Sequence, residues 1–139
     1  MIETSFLYHS FGIRDVVGTR CEYKGTKTII HVRPRRTLLC CPQCHSYTLL
    51  KNGTRARQIQ TLPIGSRRCY INLTNQRYKC TSCHWDGWQK IPGILKGKSY
   101  TYRFAQHVID LLRMGTIKAV ANHLGVGWDL IKSIHKDYL

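Results

Sequence analysis

Cys41-Pro42-Gln43-Cys44 opens, and Cys80-Thr81-Ser82-Cys83 closes, the stretch on which the fold of this chain depends. Two thiolates separated by two residues can share one tetrahedral site, because the turn between them aims successive backbone amides at the sulfurs. Two such knuckles supply four soft ligands, the full set of a closed structural zinc site. A lone CxxC is shared with thioredoxin-like redox pairs, so the matched pair is the stronger sign. Pro42 inside the first turn, Arg77-Tyr78-Lys79 leading into the second, and the polar Thr81-Ser82 within it add to that reading. Thirty-five residues separate Cys44 from Cys80. This exceeds the common ribbon spacing, so the insert is expected to be folded structure and not a short loop.

The other cysteines, Cys21, Cys40 and Cys69, are read as small buried or half-buried thiols. Cys40 in place of Cys41, or His45 or His84 in place of a neighbouring cysteine, stay open as alternative ligands. Seven cysteines, an odd number, with no export signal point to a reducing cytoplasm. Met1-Ile2-Glu3-Thr4 carries an acid where the basic region of a secretory leader would stand. The longest uncharged stretch, Thr37 to Leu50, is too short to span a bilayer. At 139 residues the chain makes one ordinary domain or two small ones, neither with a large core.

Charge narrows the partner. Lys and Arg total 22 against 7 Asp and Glu, a net +15, and no acid lies between Tyr23 and Trp85. Solvated strand faces usually mix both signs, so a polyanion is the natural counterpart, and nucleic acid fits best. A membrane surface fits less well, since the basic residues fall in strand-like segments without a basic amphipathic helix.

Taken in order, Thr4 to Phe11 reads as a short helical or irregular lead-in ending near Gly12. Val16 to Tyr23 and Lys27 to Arg33 follow as strands around Lys24-Gly25-Thr26, with Thr28, Ile30 and Val32 on one face. His31, on the other face, is taken as a packed or surface histidine. Past the first knuckle, Tyr47 to Lys51 is expected as a strand closed by a turn at Asn52-Gly53. Arg57 to Leu62 is a second, stopped by Pro63 and Gly65. Arg67 to Leu73 alternates, with Cys69, Ile71 and Leu73 on one side. A turn at Thr74-Asn75 then returns Gln76 to Lys79 to the second knuckle. The insert should therefore be a small antiparallel sheet, with Trp85 and Trp88 shielding the metal and packing on it.

From Ile91 the composition changes. Pro92, Gly93, Gly97 and Ser99 among Lys96 and Lys98 read as a connector. Phe104, Val108, Leu111 and Leu112 then share a helical face, with Thr101 as cap and Gly115 as stop. Thr116 caps a second helix, Ile117 to Leu124, and a third begins near Trp128. The last pair has the residue types of a helix-turn-helix: Ala121 at the crossing, Gly125 for left-handed backbone, and Leu124 and Val126 as apolar pegs. Ile131 and Ile134 pack back. The last helix then turns Trp128, Asp129, Lys132, Ser133 and Lys136 outward, with Thr116 and Lys118 near phosphates. Asp129 is read mainly as a stabiliser of its helix terminus. Arg35, Arg36, Arg55, Arg57, Arg67 and Arg68 complete the expected DNA-contacting set.

CPQC, Thr61-Leu62-Pro63-Ile64-Gly65 with the basic strand after it, RYKC at the second knuckle, and ANHLGVGW from Ala121 to Trp128 carry a resemblance. The chain resembles the amino-terminal portion of the ISL3 family of bacterial insertion-sequence transposases, over nearly its whole length. The resemblance implies a zinc-ribbon-like module followed by a helix-turn-helix, together binding the element's terminal inverted repeats. Family members continue into an RNase-H-like catalytic domain with an acidic triad.

The expected fold is thus α+β. Residues 1–91 form a β-rich zinc-binding domain, 92–100 a basic connector, and 101–139 a three-helix helix-turn-helix domain. The cofactor is one structural Zn²⁺ on Cys41, Cys44, Cys80 and Cys83. The partner is double-stranded DNA, with a homodimer as a possible assembly and no membrane, in a bacterial cytoplasm at the nucleoid. The acids, Glu3, Asp15, Glu22, Asp86, Asp110, Asp129 and Asp137, are scattered, and two-metal strand cleavage needs converging carboxylates. DNA binding without cutting is therefore expected. Met1 reads as a gene start, so the expectation is a truncated chain or a relic gene without its catalytic part. The alternatives are a stand-alone regulator or inhibitor of transposition or transcription, and a basic ribbon that binds RNA.

Overall fold

The computed structural model describes residues 4–35, 40–94 and 97–138. These residues form an α+β fold: a five-stranded sheet with helices on it and beside it. Helix α1 (Thr4–Phe11) leads into strands β1 (Val16–Lys24) and β2 (Lys27–Pro34). After the first knuckle come β3 (Leu49–Ile64), β4 (Arg67–Cys80) and the short β5 (Asp86–Trp88). Helices α2 (Tyr102–Leu112), α3 (Ile117–Leu124) and α4 (Trp128–Asp137) complete the chain.

The sheet order is β1-β2-β4-β3, with β5 paired to the far end of β4. Three expectations change here. First, the insert's strands β3 and β4 pair antiparallel as expected, but the sheet they join is mixed, because β2 runs parallel to β4 from Lys27↔Arg68 to Val32↔Leu73. Strand β2 carries the chain towards the knuckle end, β3 brings it back, and β4 must then retrace the direction of β2. Second, Asn52-Gly53 makes no turn: β3 continues through it, and the register slips between Lys51 and Thr54. Gly53, at φ +95, supplies the backbone such a bulge needs. Third, Thr74-Asn75 lies inside an unbroken β4. The Asn75 side chain donates from Nδ2 to the Gln89 carbonyl at 3.1 Å, and its Oδ1 accepts from the Gln76 backbone amide at 2.9 Å. A turn-forming residue is thereby satisfied within a strand. The hairpin turn itself falls at Gly65, between Ile64 and Arg67. Pro63 is tolerated because β3 is an edge strand.

Alternation along β4 splits the interior. Cys69, Ile71 and Leu73 face the main core with Leu7 and Phe11 of α1, Ile13, Val16, Ile30, Val32, Ile59 and Ile91. Further along, the buried positions are Tyr78 and Cys80, of opposite parity. The knuckle end therefore packs on the other face of β4. Cys69 lies in the core as expected, and burial pushes its thiol up to about 12. Cys40 is half-buried, but Cys21 departs from expectation: on the edge strand β1 its thiol is exposed.

Helices α2, α3 and α4 enclose a separate core of Tyr100, Phe104, Ala105, Val108, Val120, Ala121, Leu124, Ile131 and Ile134. It is joined to the edge of β3. The Gln60 amide donates to Ser99 O at 2.8 Å and the Thr101 amide to Gln60 O at 2.9 Å. No helix among the described residues is long and apolar enough to cross a membrane.

Candidate metal centre and nucleic-acid face

The two knuckles meet where the start of β3 lies against the end of β4, at Leu49↔Cys80. The sulfurs of Cys41, Cys44, Cys80 and Cys83 all lie within 4.8 Å of one another. The Cys41–Cys83 distance is 3.5 Å and the Cys44–Cys80 distance 3.6 Å. A tetrahedron with metal–sulfur bonds of about 2.3 Å has sulfur–sulfur edges of about 3.8 Å, so the set fits zinc. Among the described residues this is the group able to hold a metal ion; Cys40, His45 and His84 are not in it.

Backbone amides shape the site. Gln43 N donates to the Cys41 sulfur at 3.3 Å. The Cys83 amide, above all, holds the Cys80 thiol down at about 6. Cys83 is pushed up to about 12: the Trp85 amide pulls it down, but burial and the sulfurs of Cys41, Cys44 and Cys80 together outweigh that. Four sulfurs this close resist ionising together until a cation stands among them. The donor set therefore calls for a divalent metal, and the four cysteines are a structural zinc site.

The histidines after the knuckles act through their backbones. His45 N donates to Cys41 O at 2.9 Å and His84 N to Cys80 O at 3.1 Å. Both adopt left-handed backbone, at φ +60 and +63, a region where histidine is enriched among residues other than glycine. The repeated CxxCH pattern is the sequence signal for this backbone role, and the two histidines are not among the ligands. Outside the sulfurs, the hydroxyls of Ser46, Thr48 and Ser82 lie within 2.9–3.2 Å of one another and bridge the knuckles. Trp85 packs against this centre, whereas Trp88 does not. Trp88 lies instead beneath the guanidinium groups of Arg55 and Arg77.

In the helical part, Thr101 caps α2 by accepting from Phe104 N, and Thr116 caps α3 by accepting from Ala119 N. Between α3 and α4, Gly125 is left-handed at φ 67 and ψ 34, and its amide donates to Ala121 O. A side chain there would strain the backbone and press on Arg68 at 3.2 Å. Leu124 is buried and Val126 packs beside it, so the apolar pegs flank the turn. Trp128, Asp129, Lys132, Ser133 and Lys136 are all exposed on α4, with Lys132 Nζ 4.9 Å from the Trp128 ring centre. Thr116 and Lys118 are exposed at the start of α3.

The arginines named from sequence differ in what they touch. Arg35 and Arg55 are exposed. Arg57 donates to Lys98 O at 2.7 Å, and Arg67 to Thr28 Oγ1 at 3.0 Å and Lys27 O at 2.7 Å. Arg68 donates to Gly125 O at 2.9 Å, tying the sheet to the α3–α4 turn. Arg36 lies outside the described residues. His31 sits between Glu22 Oε2 at 3.0 Å and Asn72 Nδ2 at 3.1 Å, away from the sulfurs. Among the described residues the acids form no cluster: Asp86 pairs with Arg77, Asp110 with Arg113, and Asp137 with Lys98.

Comparison with known proteins agrees with this geometry. A family model described as the zinc-finger of transposase IS204/IS1001/IS1096/IS1165 matches residues 37–83. A second, described as the helix-turn-helix domain of transposase family ISL3, matches residues 89–139. The transposase for insertion sequence element IS1001 of Bordetella parapertussis is 25% identical over 115 residues, or 83% of this chain. The matched region is 28% of that transposase's length, so the chain spans about that share of it. No solved structure matches the chain. With its zinc-finger and helix-turn-helix regions matched in order and its four sulfurs gathered, the chain is similar to the amino-terminal region of ISL3-family transposases.

Proposed function

We propose that the chain binds double-stranded DNA sequence-selectively at the terminal inverted repeats of an insertion sequence, and that it does not itself cut DNA. The observation that carries this reading is the α3–Gly125–α4 arrangement, with an exposed polar face on the second helix. In a helix-turn-helix that helix enters the major groove while the first crosses the backbone. Lys132 and Ser133 are then the base-reading side chains. Trp128 and Lys136 flank them, Asp129 supports the helix terminus, and Thr116 and Lys118 meet phosphates. The zinc site is structural and holds the cationic sheet in shape. The chain divides in this reading into a zinc-binding part, 1–91, a connector, 92–100, and a helix-turn-helix part, 101–139. It works in the cytoplasm, at the nucleoid.

The net charge of +15 supports a large phosphate contribution. The test is fluorescence anisotropy on a labelled duplex carrying the element's ends, against a scrambled duplex, over a salt series. With five to ten phosphates contacted, log K should fall against log salt with a slope of roughly −5 to −9. Lys132→Ala or Ser133→Ala should each remove about 1–3 kcal/mol of discrimination between the two duplexes. Arg35→Ala should weaken both alike. Binding that ignores salt, or equal affinity for both duplexes in the unaltered protein, defeats the proposal.

A further inference from the structure

Arg55, Arg77 and Trp88 lie together on one face of the sheet, beyond the end of the main core. Arg77 and Trp88 are cross-strand partners on β4 and β5, and Arg55 is opposite Asn75, two residues before Arg77. Strand alternation therefore places Arg55 and Arg77 on the same side. The guanidinium carbons stand 5.2 and 5.9 Å from the centre of the Trp88 ring. Such stacking holds two planar cations in defined positions that would otherwise be disordered on long side chains.

Their partners differ. Arg77 presents its fork to one carboxylate, Nε to Asp86 Oδ1 at 2.7 Å and Nη2 to Oδ2 at 2.8 Å. Arg55 makes no ion pair among the described residues. Asp86 is also the first acid after Glu22, so the carboxylate stands at the edge of a long acid-free stretch. The fork that grips a carboxylate with two parallel bonds is the fork that grips a phosphate. The pair is open to solvent, with 43% of the Arg77 and 31% of the Asp86 side chain exposed, so a phosphate can reach it.

We propose that Arg55 and Arg77, aligned by the Trp88 ring, are a second DNA-backbone contact, and that Asp86 occupies Arg77 as an internal substitute for phosphate until DNA displaces it. The inference rests on the DNA binding proposed above and adds a contact on the sheet whose strength Asp86 sets. Asp86→Asn keeps the shape of the side chain and frees the fork.

The test uses a labelled duplex of arbitrary sequence, so that base reading by α4 contributes nothing, and zinc content verifies each variant. Asp86→Asn should tighten binding severalfold and steepen the log K against log salt slope by about one. Arg77→Gln should loosen binding severalfold and flatten the slope by about one. On the Arg77→Gln background the gain from Asp86→Asn should vanish. A gain that persists there is simple removal of a negative charge and overturns the proposal, as does an unchanged affinity in zinc-loaded Asp86→Asn. If Asp86→Asn loses its zinc, Arg55→Gln decides, since it leaves the Arg77–Asp86 pair in place: a flattened slope upholds the contact and an unaltered one overturns it. An unaltered protein that binds no duplex at all sinks this inference and the function it rests on together.

Discussion

At the knuckle end of the sheet, Leu49 and Tyr78 share a small buried cluster with Cys41 and Cys80. Helices α2, α3 and α4 instead enclose branched side chains from each of the three together with Tyr100 and Phe104, and two of them begin at threonine caps. The first region has little apolar surface to bury, so its geometry depends on four sulfurs and a cation. The second is stabilised in the ordinary way, by burial and satisfied helix ends. The contrast teaches that one short chain can divide its stability between coordination and packing, and that the two should fail under different insults.

Chelation is the strongest way to separate them. Structural zinc contributes on the order of 10–16 kcal/mol in small zinc-finger peptides, so its removal, or Cys80→Ser, should open the knuckle end. Hydrogen exchange should show the amides of Leu49 and Tyr78 losing protection while those of Ile131 and Ile134 keep theirs. Loss of protection in both places would mean that the helical unit leans on the metal as well. The converse is Ile131→Ala, which empties a fully buried position in α4. It should cost about 2–5 kcal/mol of helical stability in a denaturant titration and leave zinc stoichiometry unchanged.

Thr101 sharpens the comparison because it belongs to both regions. Its hydroxyl caps α2 and meets the Thr61 hydroxyl of β3 at 3.2 Å, fully buried. Thr101→Ala removes the cap and strands a buried hydroxyl, for a loss of about 1–3 kcal/mol by thermal melting. Thr116→Ala removes an exposed cap alone and should cost about 1 kcal/mol. Equal losses at the two threonines would show that the Thr61–Thr101 contact contributes nothing.

Much of this was legible in the chain itself. The paired CxxC motifs identify the metal ligands because ligand spacing is a local property of a turn. The helix starts at Thr101 and Thr116 and the left-handed Gly125 follow from side-chain and backbone preferences within a few residues. The strand interior was harder. Asn52-Gly53 and Thr74-Asn75 are strong turn formers in isolation, yet one became a bulge and the other stayed in an unbroken strand. Pairing along a long hairpin overrode a local preference. The individual arginines were harder still. Composition marks a cationic segment, but only packing distinguishes Arg68, bonded to the Gly125 carbonyl, from Arg55, stacked on Trp88.

By itself, then, the order of residues specified which side chains could bind a metal, where helices begin and stop, and the sign of the surface. Tertiary structure alone decided that β2 and β4 run parallel, that the two knuckles meet at one end of a hairpin, and which cations remain available to a partner. The physical reason is range: spacing and capping act over a few residues, whereas strand order and salt-bridge choice depend on groups dozens of residues apart.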